Sequence, residues 1–225
     1  MSKQSTKTFI ADTFHENVRA ASYSEIRIAG LIEQCGISRT TFYYHFTGKL
    51  DIATWIFRHD MASLLRNALP ESKLVFAPLE GCEGLPLYVH NEIGARALDA
   101  SEFFKALCLC VCNDRSFYHG LVANGNREFL DELYRLYIPL AQADVKFMLG
   151  GRNAPDSTKN LLASMMANIA VDLFEYAIAH PDEMLSIVSD EKEAFWNGPC
   201  EMVRAIIESR PTRQNYWQPY PMHAI

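Results

Sequence analysis

An all-α fold is what this 225-residue sequence predicts. Three observations carry the prediction. Apolar residues recur at three- and four-residue spacing along most of the chain. No segment alternates apolar and polar residues as a half-buried strand would. Glycine and proline fall in clusters that cut the chain into pieces of helix length. Within that class the pattern divides into an N-terminal three-helix head over residues 1–48, a larger helical body over 49–210, and a Pro/aromatic-rich tail over 211–225.

The first helix is expected from about Thr6 to Ala20, with Phe9, Ile10, Phe14 and Val18 on one side. The next runs from about Ile28 to Cys35, where Leu31, Ile32 and Cys35 form one apolar stripe. Gly36 follows at once, at a position where a positive φ ends a helix at least cost. Ile37 plugs the turn and Ser38 is placed to cap a short third helix. In that helix Phe42 and Phe46 stand four apart and share the inward face. Arg39, Thr40, Thr41, Tyr43, Tyr44 and His45 are left outside. A helix pair with this turn suits the DNA major groove. Arg39 can donate twice to a guanine edge, the threonines can meet phosphate or a thymine methyl, and Tyr43 can donate to phosphate.

A connecting helix from about Lys49 to Leu69 follows, ended by Pro70. Prolines and glycines between 70 and 86 mark a loop. Further helices are expected over Leu87–Asp99, from a Ser101 cap to about Cys112, and from Ser116 to Leu149 with weak points at Gly120, Gly125 and Pro139. After Gly150-Gly151 comes a helix reaching His180 that is apolar nearly all round, a sign of burial on more than one side. A short helix after Pro181 and a last one with Met202, Val203, Ile206 and Ile207 complete the body. The tail, with Tyr216, Trp217 and Tyr220 among prolines, is too proline-rich to continue it.

Net charge is −6, but it is unevenly divided. Residues 1–50 carry six Lys/Arg against four acids, a net of +2. The remainder carries 15 against 23, a net of −8. A mildly basic head on an acidic body orients the molecule toward phosphate. Cys108, Cys110 and Cys112 lie in one apolar segment and read as buried thiols. His90, His119 and His180 read as surface or capping residues. No phosphate loop, metal quartet or nucleophile elbow is present, so an enzyme is not expected, and neither a metal nor a cofactor. The polar stretch from Met1 to Lys7 lacks a signal-peptide core, and no apolar run is expected to approach bilayer length. The expectation is a cytoplasmic protein without a membrane partner.

The run Gly36-Ile37-Ser38-Arg39-Thr40-Thr41-Phe42-Tyr43-Tyr44-His45-Phe46, followed by Lys49-Leu50, resembles the DNA-binding signature of the TetR family of transcriptional regulators over residues 26–57. That resemblance implies a homodimer that binds a palindromic operator in double-stranded DNA, usually represses, and usually lets go when a small-molecule inducer enters the C-terminal body. By matching position, Arg39, Thr40 and Tyr44 would approach bases, and Thr41, Tyr43, His45 and Lys49 would approach phosphates. Two departures stand out. Arg27 occupies a position commonly held by a Thr or Ser cap, where it would meet phosphate as a cation, and Cys35 replaces an alanine.

The dimer is expected through helices at about 157–180 and 199–210. A ligand pocket would draw on Phe104, Phe117, Tyr137, Met165, Asn168 and Asp172, although aromatic and Met stripes at helical spacing are more often core. Asn168, Asp172 and Glu175 form a polar line that would face a pocket, a dimer seam or solvent. The rival reading is a ligand-independent co-regulator of the same fold that works through a protein partner, with Tyr216 to Tyr220 as its docking segment and no cavity in its body.

Overall fold

In this computed structural model the described residues are 3–76, 82–89, 91–189 and 193–209, and they are mostly helical. Helix α1 (Lys3–Ala20) buries Ile10, Ala11, Phe14 and Val18. A 3-10 turn at Tyr23–Glu25 leads to α2 (Ile28–Cys35), which ends where Gly36 takes the left-handed conformation with φ 62°. The Ser38 hydroxyl accepts the Thr41 N–H at 3.0 Å and starts α3 (Arg39–His45). Helix α4 (Lys49–Ala68) begins where Asp51 reaches back to accept the Thr47 N–H at 2.8 Å. Every residue from Ile52 to Arg58 is buried. Seven in a row cover every side of a helix, so the middle of α4 is surrounded.

The segment between α4 and the next helix departs from expectation. In place of a helix over Leu87–Asp99 there are two small antiparallel pairs. β1 (Leu74–Phe76) pairs with β2 (Pro86–Val89), and β3 (Glu92–Gly94) pairs with β4 (Ala97–Leu98). All four residues of β2 are buried, so the strand shows no alternation and cannot be told from a short helical run by pattern. Gly94 pairs with Ala97, leaving a two-residue loop whose positive φ, 61°, falls on Arg96 rather than on a glycine.

Helix α5 (Ser101–Asn113) begins one residue earlier than a Ser101 cap requires. Ala100 is the cap residue, and Asp99 Oδ1 accepts the Ser101 N–H at 2.9 Å. The expected span Ser116–Leu149 is two helices, α6 (Arg115–Val122) and α7 (Glu128–Leu149). The break lies at Asn124 and Gly125, both with positive φ. Gly120 causes no kink. It lets α6 close on α1, because a Cβ there would fall 2.5 Å from the Val18 carbonyl oxygen.

Helix α8 (Asp156–Ala179) packs along α7 and α5. After it come α9 (Pro181–Ser189), the single turn α10 (Glu193–Trp196) and α11 (Gly198–Glu208), which lies against α7 and α8. Phe57, Tyr118, Phe129 and Phe174 form an aromatic cluster with ring centroids 5.5 to 6.5 Å apart. Contrary to the expectation of no bilayer-length run, α8 is long and apolar enough to span one, with mean hydropathy 1.4. Half of that window is buried among neighbouring helices, as in a core helix. The tail at 211–225 and His90 lie outside the described residues.

Candidate nucleic-acid interface

Helix α3 is two-sided. Phe42 and Phe46 are 0% and 1% exposed, and Phe46 meets Trp55 of α4 edge to face at 6.0 Å. On the other side Arg39 and Thr40 are exposed, Tyr43 is 55% and Tyr44 63% exposed, and Thr41 and His45 are half-buried. The Tyr44 and His45 rings meet edge to face at 5.1 Å. The Ser38 and Thr41 hydroxyls lie 2.8 Å apart, so Ser38 serves the cap. Arg27 precedes α2 in extended conformation, makes no side-chain cap and is exposed. Arg27, Arg39, Thr40, Tyr43 and Tyr44 thus present donors and apolar ring surface to solvent, the chemistry that phosphates and base edges accept.

Lys49 is placed differently. Its ammonium donates to the Tyr23 carbonyl at 2.8 Å and lies 4.3 Å from the Tyr23 ring centroid. Burial pulls its pKa down. The Tyr23 hydroxyl in turn donates to Glu128 Oε2 on α7 at 2.7 Å, and burial together with that bond pushes the phenol pKa up. Lys49 therefore ties the turn before α2 to the start of α4, while Tyr23 ties the same turn to α7. A second tie joins His15 of α1 to Asp114 at the start of α6, with Nε2 and Oδ2 2.5 Å apart and the imidazole stacked on Phe117. Neither Tyr23 nor His15 stood out in the sequence, because nothing local marks their partners about a hundred residues away.

Of the six body residues expected to line a pocket, Phe104 and Tyr137 border one small space and the other four are not on it. Phe104, Phe117 and Tyr137 are core, at 2%, 0% and 3% exposed. Met165 is half-buried, and Asn168 and Asp172 are exposed. Asn168 bonds back to the Ser164 carbonyl at the rim of an open depression, and Glu175 pairs with Arg127 at 3.3 Å. Beside Tyr88, Phe103, Phe104, Tyr137 and Met166 there is room for about one water. An open depression on α7 and α8 is lined by Arg127, Asp131, Tyr134, Arg135, Ser164 and Asn168. The cysteines Cys108 and Cys110 are buried and Cys112 half-buried. All are free thiols, and burial pushes Cys108 up to about 12. Among the described residues no cluster of metal-ligating side chains occurs.

No protein-family model matches this chain. Over 62 residues, 28% of its length, it is 29% identical to the HTH-type dhaKLM operon transcriptional activator DhaS of Lactococcus lactis subsp. lactis. The match spans a third of that protein (33%). A solved structure named dihydroxyacetone kinase operon activator DhaS overlays on 90% of this chain and 96% of its own. Its identity is 16% and its TM-score 0.46, too loose a likeness to carry an argument.

Proposed function

We propose that this chain is a DNA-binding transcriptional regulator built like the TetR family, with residues 1–48 as the reading head and 49–210 as the body. The observation that carries the reading is the two-sidedness of α3. Two fully buried phenylalanines anchor it while Arg39, Thr40, Tyr43 and Tyr44 stand in solvent. In this reading Arg39, Thr40 and Tyr44 meet bases, and Arg27, Thr41, Tyr43 and His45 meet phosphates. Ser38 caps α3. Lys49 works from behind, fixing the angle of the head. The local similarity to a named transcriptional activator supports the same class.

The regulator acts as a homodimer on a palindromic operator. Leu161, Met165 and Ile169 follow one face of α8, and Met202 and Ile206 follow one face of the adjoining α11. Leu161 is 61% and Ile206 43% exposed, an apolar strip suited to a second copy. The family resemblance implies repression by occupying the operator, whereas the relative is named an activator. In the ligand-released form of this reading, a small molecule in the body tilts α4 and changes the spacing of the two heads. The space beside Tyr137, with room for about one water, favours a second form, in which a protein partner rather than a large inducer sets the state.

The test is an unbiased selection of bound duplexes by the purified protein. The expected result is enrichment of an inverted repeat with half-sites about one helical turn apart. Recovery of no motif contradicts the reading.

A further inference from the structure

His59 shares a face of α4 with Trp55, one turn earlier. Its imidazole stacks on the Trp55 ring with centroids 3.8 Å apart, and Trp55 meets Phe46, an inner anchor of α3, at 6.0 Å. The Lys7 ammonium of α1 lies over the same two rings. It is 5.1 Å from the Phe46 centroid and 5.5 Å from that of Trp55, both within cation–π reach. The first helix, the end of α3 and the connecting helix thus meet on one aromatic pair. A carbonyl only accepts, so the 2.7 Å bond from His59 to the Trp55 carbonyl puts the proton of the neutral ring on Nδ1. A second proton must go to Nε2, and the ring becomes charged without leaving its seat.

The charged groups acting most strongly on His59 are Lys7 of α1 and its own neighbours Asp60 and Arg58. Of these three only Asp60 favours a second proton. Its carboxylate accepts the Tyr118 hydroxyl at 2.7 Å, and His15 of α1 and Asp114 of α6 act on it as well. Among the titratable groups of the other elements packed on α4, burial pushes Tyr88 of β2, Cys110 of α5 and Tyr137 of α7 toward the neutral form. It does the same to Cys82, before β2. An imidazolium at His59 therefore opposes the Lys7 ammonium where both side chains are half-buried and water screens them poorly. Stacking and the carbonyl bond hold His59, whereas Lys7 has a long flexible stem, so Lys7 is the one to move.

We propose that Lys7 and His59 form an acid-sensitive seat for α3, in which a proton on His59 displaces Lys7 from the Phe46 and Trp55 rings. Lys7 is a positioning residue in this scheme, acting on α3 through Phe46. Phe46 caps the C-terminal end of α3, with its N–H donated to the Phe42 carbonyl at 3.0 Å. The loosening falls on the turn that carries Tyr43 and Tyr44. Acid ordinarily strengthens a protein's hold on phosphate by adding positive charge, whereas here DNA affinity falls as pH drops. That consequence rests on the function proposed above, but the seat itself does not.

The test is amide hydrogen exchange at Phe46 in the full-length protein, corrected for the intrinsic effect of pH and followed from about pH 7.5 downward. NMR of the His59 imidazole in the same samples marks where the proton arrives. Protection at Phe46 is expected to fall about tenfold or more in the wild type as His59 becomes charged, and to hold steady in H59Q. K7M is expected to start with the lower protection and show no further fall, while K7R, which keeps the cation, follows the wild type. Steady protection in the wild type, an equal fall in H59Q, an undiminished fall in K7M, or global unfolding before His59 is charged overturns the proposal. DNA affinity is measured separately over the same pH range. A fall in protection without DNA binding at any pH removes the regulator and keeps the seat, and DNA binding with steady protection does the reverse.

Discussion

The Tyr23 hydroxyl donates to the Glu128 carboxylate at 2.7 Å while the Lys49 ammonium caps the same residue's ring and donates to its carbonyl. Three residues from the turn before α2, the start of α4 and the start of α7 thus act as one clasp between the first helices and the rest. Because Tyr23 is buried and Glu128 exposed, Y23F strands no buried acceptor and costs only the bond itself. The expected loss is about 1 kcal/mol, read as a lower urea midpoint with an unchanged m-value. An unchanged midpoint would mean that the clasp contributes nothing.

Gly120 tests how closely α6 rides on α1. A methyl group there meets the Val18 carbonyl oxygen at 2.5 Å and the Val18 side chain at 2.8 Å. Backbone cannot yield as a flexible side chain does, so the helices must part. G120A is expected to lower stability by about 1–3 kcal/mol in chemical denaturation, despite alanine's better helix propensity. A stabilised variant would show that the approach is looser than drawn.

The apolar strip of α8 and α11 has its own test. L161D and I206D place a charge where each residue is now substantially exposed, so neither disturbs the protomer core. Light scattering after size exclusion is expected to show a dimer for the wild type and monomers for both variants, with unchanged helical circular dichroism. A wild type that is monomeric at all concentrations removes the dimer from the account.

His59 gives a pH dependence of defined sign. Its ring stacks on Trp55 with centroids 3.8 Å apart, and Nδ1 bonds to the Trp55 carbonyl at 2.7 Å. Burial, the largest cause, pulls its pKa below 6.5 in the folded protein. The unfolded chain therefore binds more protons between the folded pKa and 6.5, and stability rises with pH across that window. Its contribution is complete above 6.5 and is lost as pH falls through the folded pKa. H59Q should flatten this part of the stability–pH curve measured by urea denaturation, and an unaltered slope would assign it to another group.

The residues from 28 to 50 were legible because their signals are local. Gly36, Ser38, Phe42 and Phe46 each act within one turn of their own position, so spacing alone reports the turn, the cap and the buried face. Residues 74 to 98 were not. β2 is buried on both faces and lacks alternation, and the tight hairpin after β3 places its positive φ on Arg96. The pocket candidates were ambiguous for a related reason. Phe104, Phe117 and Tyr137 carry the same helical periodicity whether they line a cavity or fill a core, and all three are buried. Arg58 was invisible for the opposite reason. Beside His59 and Asp60 it reads as part of a solvated face, and its burial comes from β2, α5 and α7, elements distant in sequence. The contacts Tyr23–Glu128 and His15–Asp114 are likewise products of packing, with no motif of their own.

The central claim is that the exposed side of α3 reads base pairs. The most direct measurement is the affinity of R39A and Y44A for the selected inverted repeat, with their melting midpoints taken alongside. Both side chains point to solvent, so the midpoints should stay within about 2 °C of the wild type. Affinity should fall by about tenfold or more for each, with R39A also relaxing the preference at one base pair of each half-site. Full affinity and unchanged sequence preference in both variants would contradict the account.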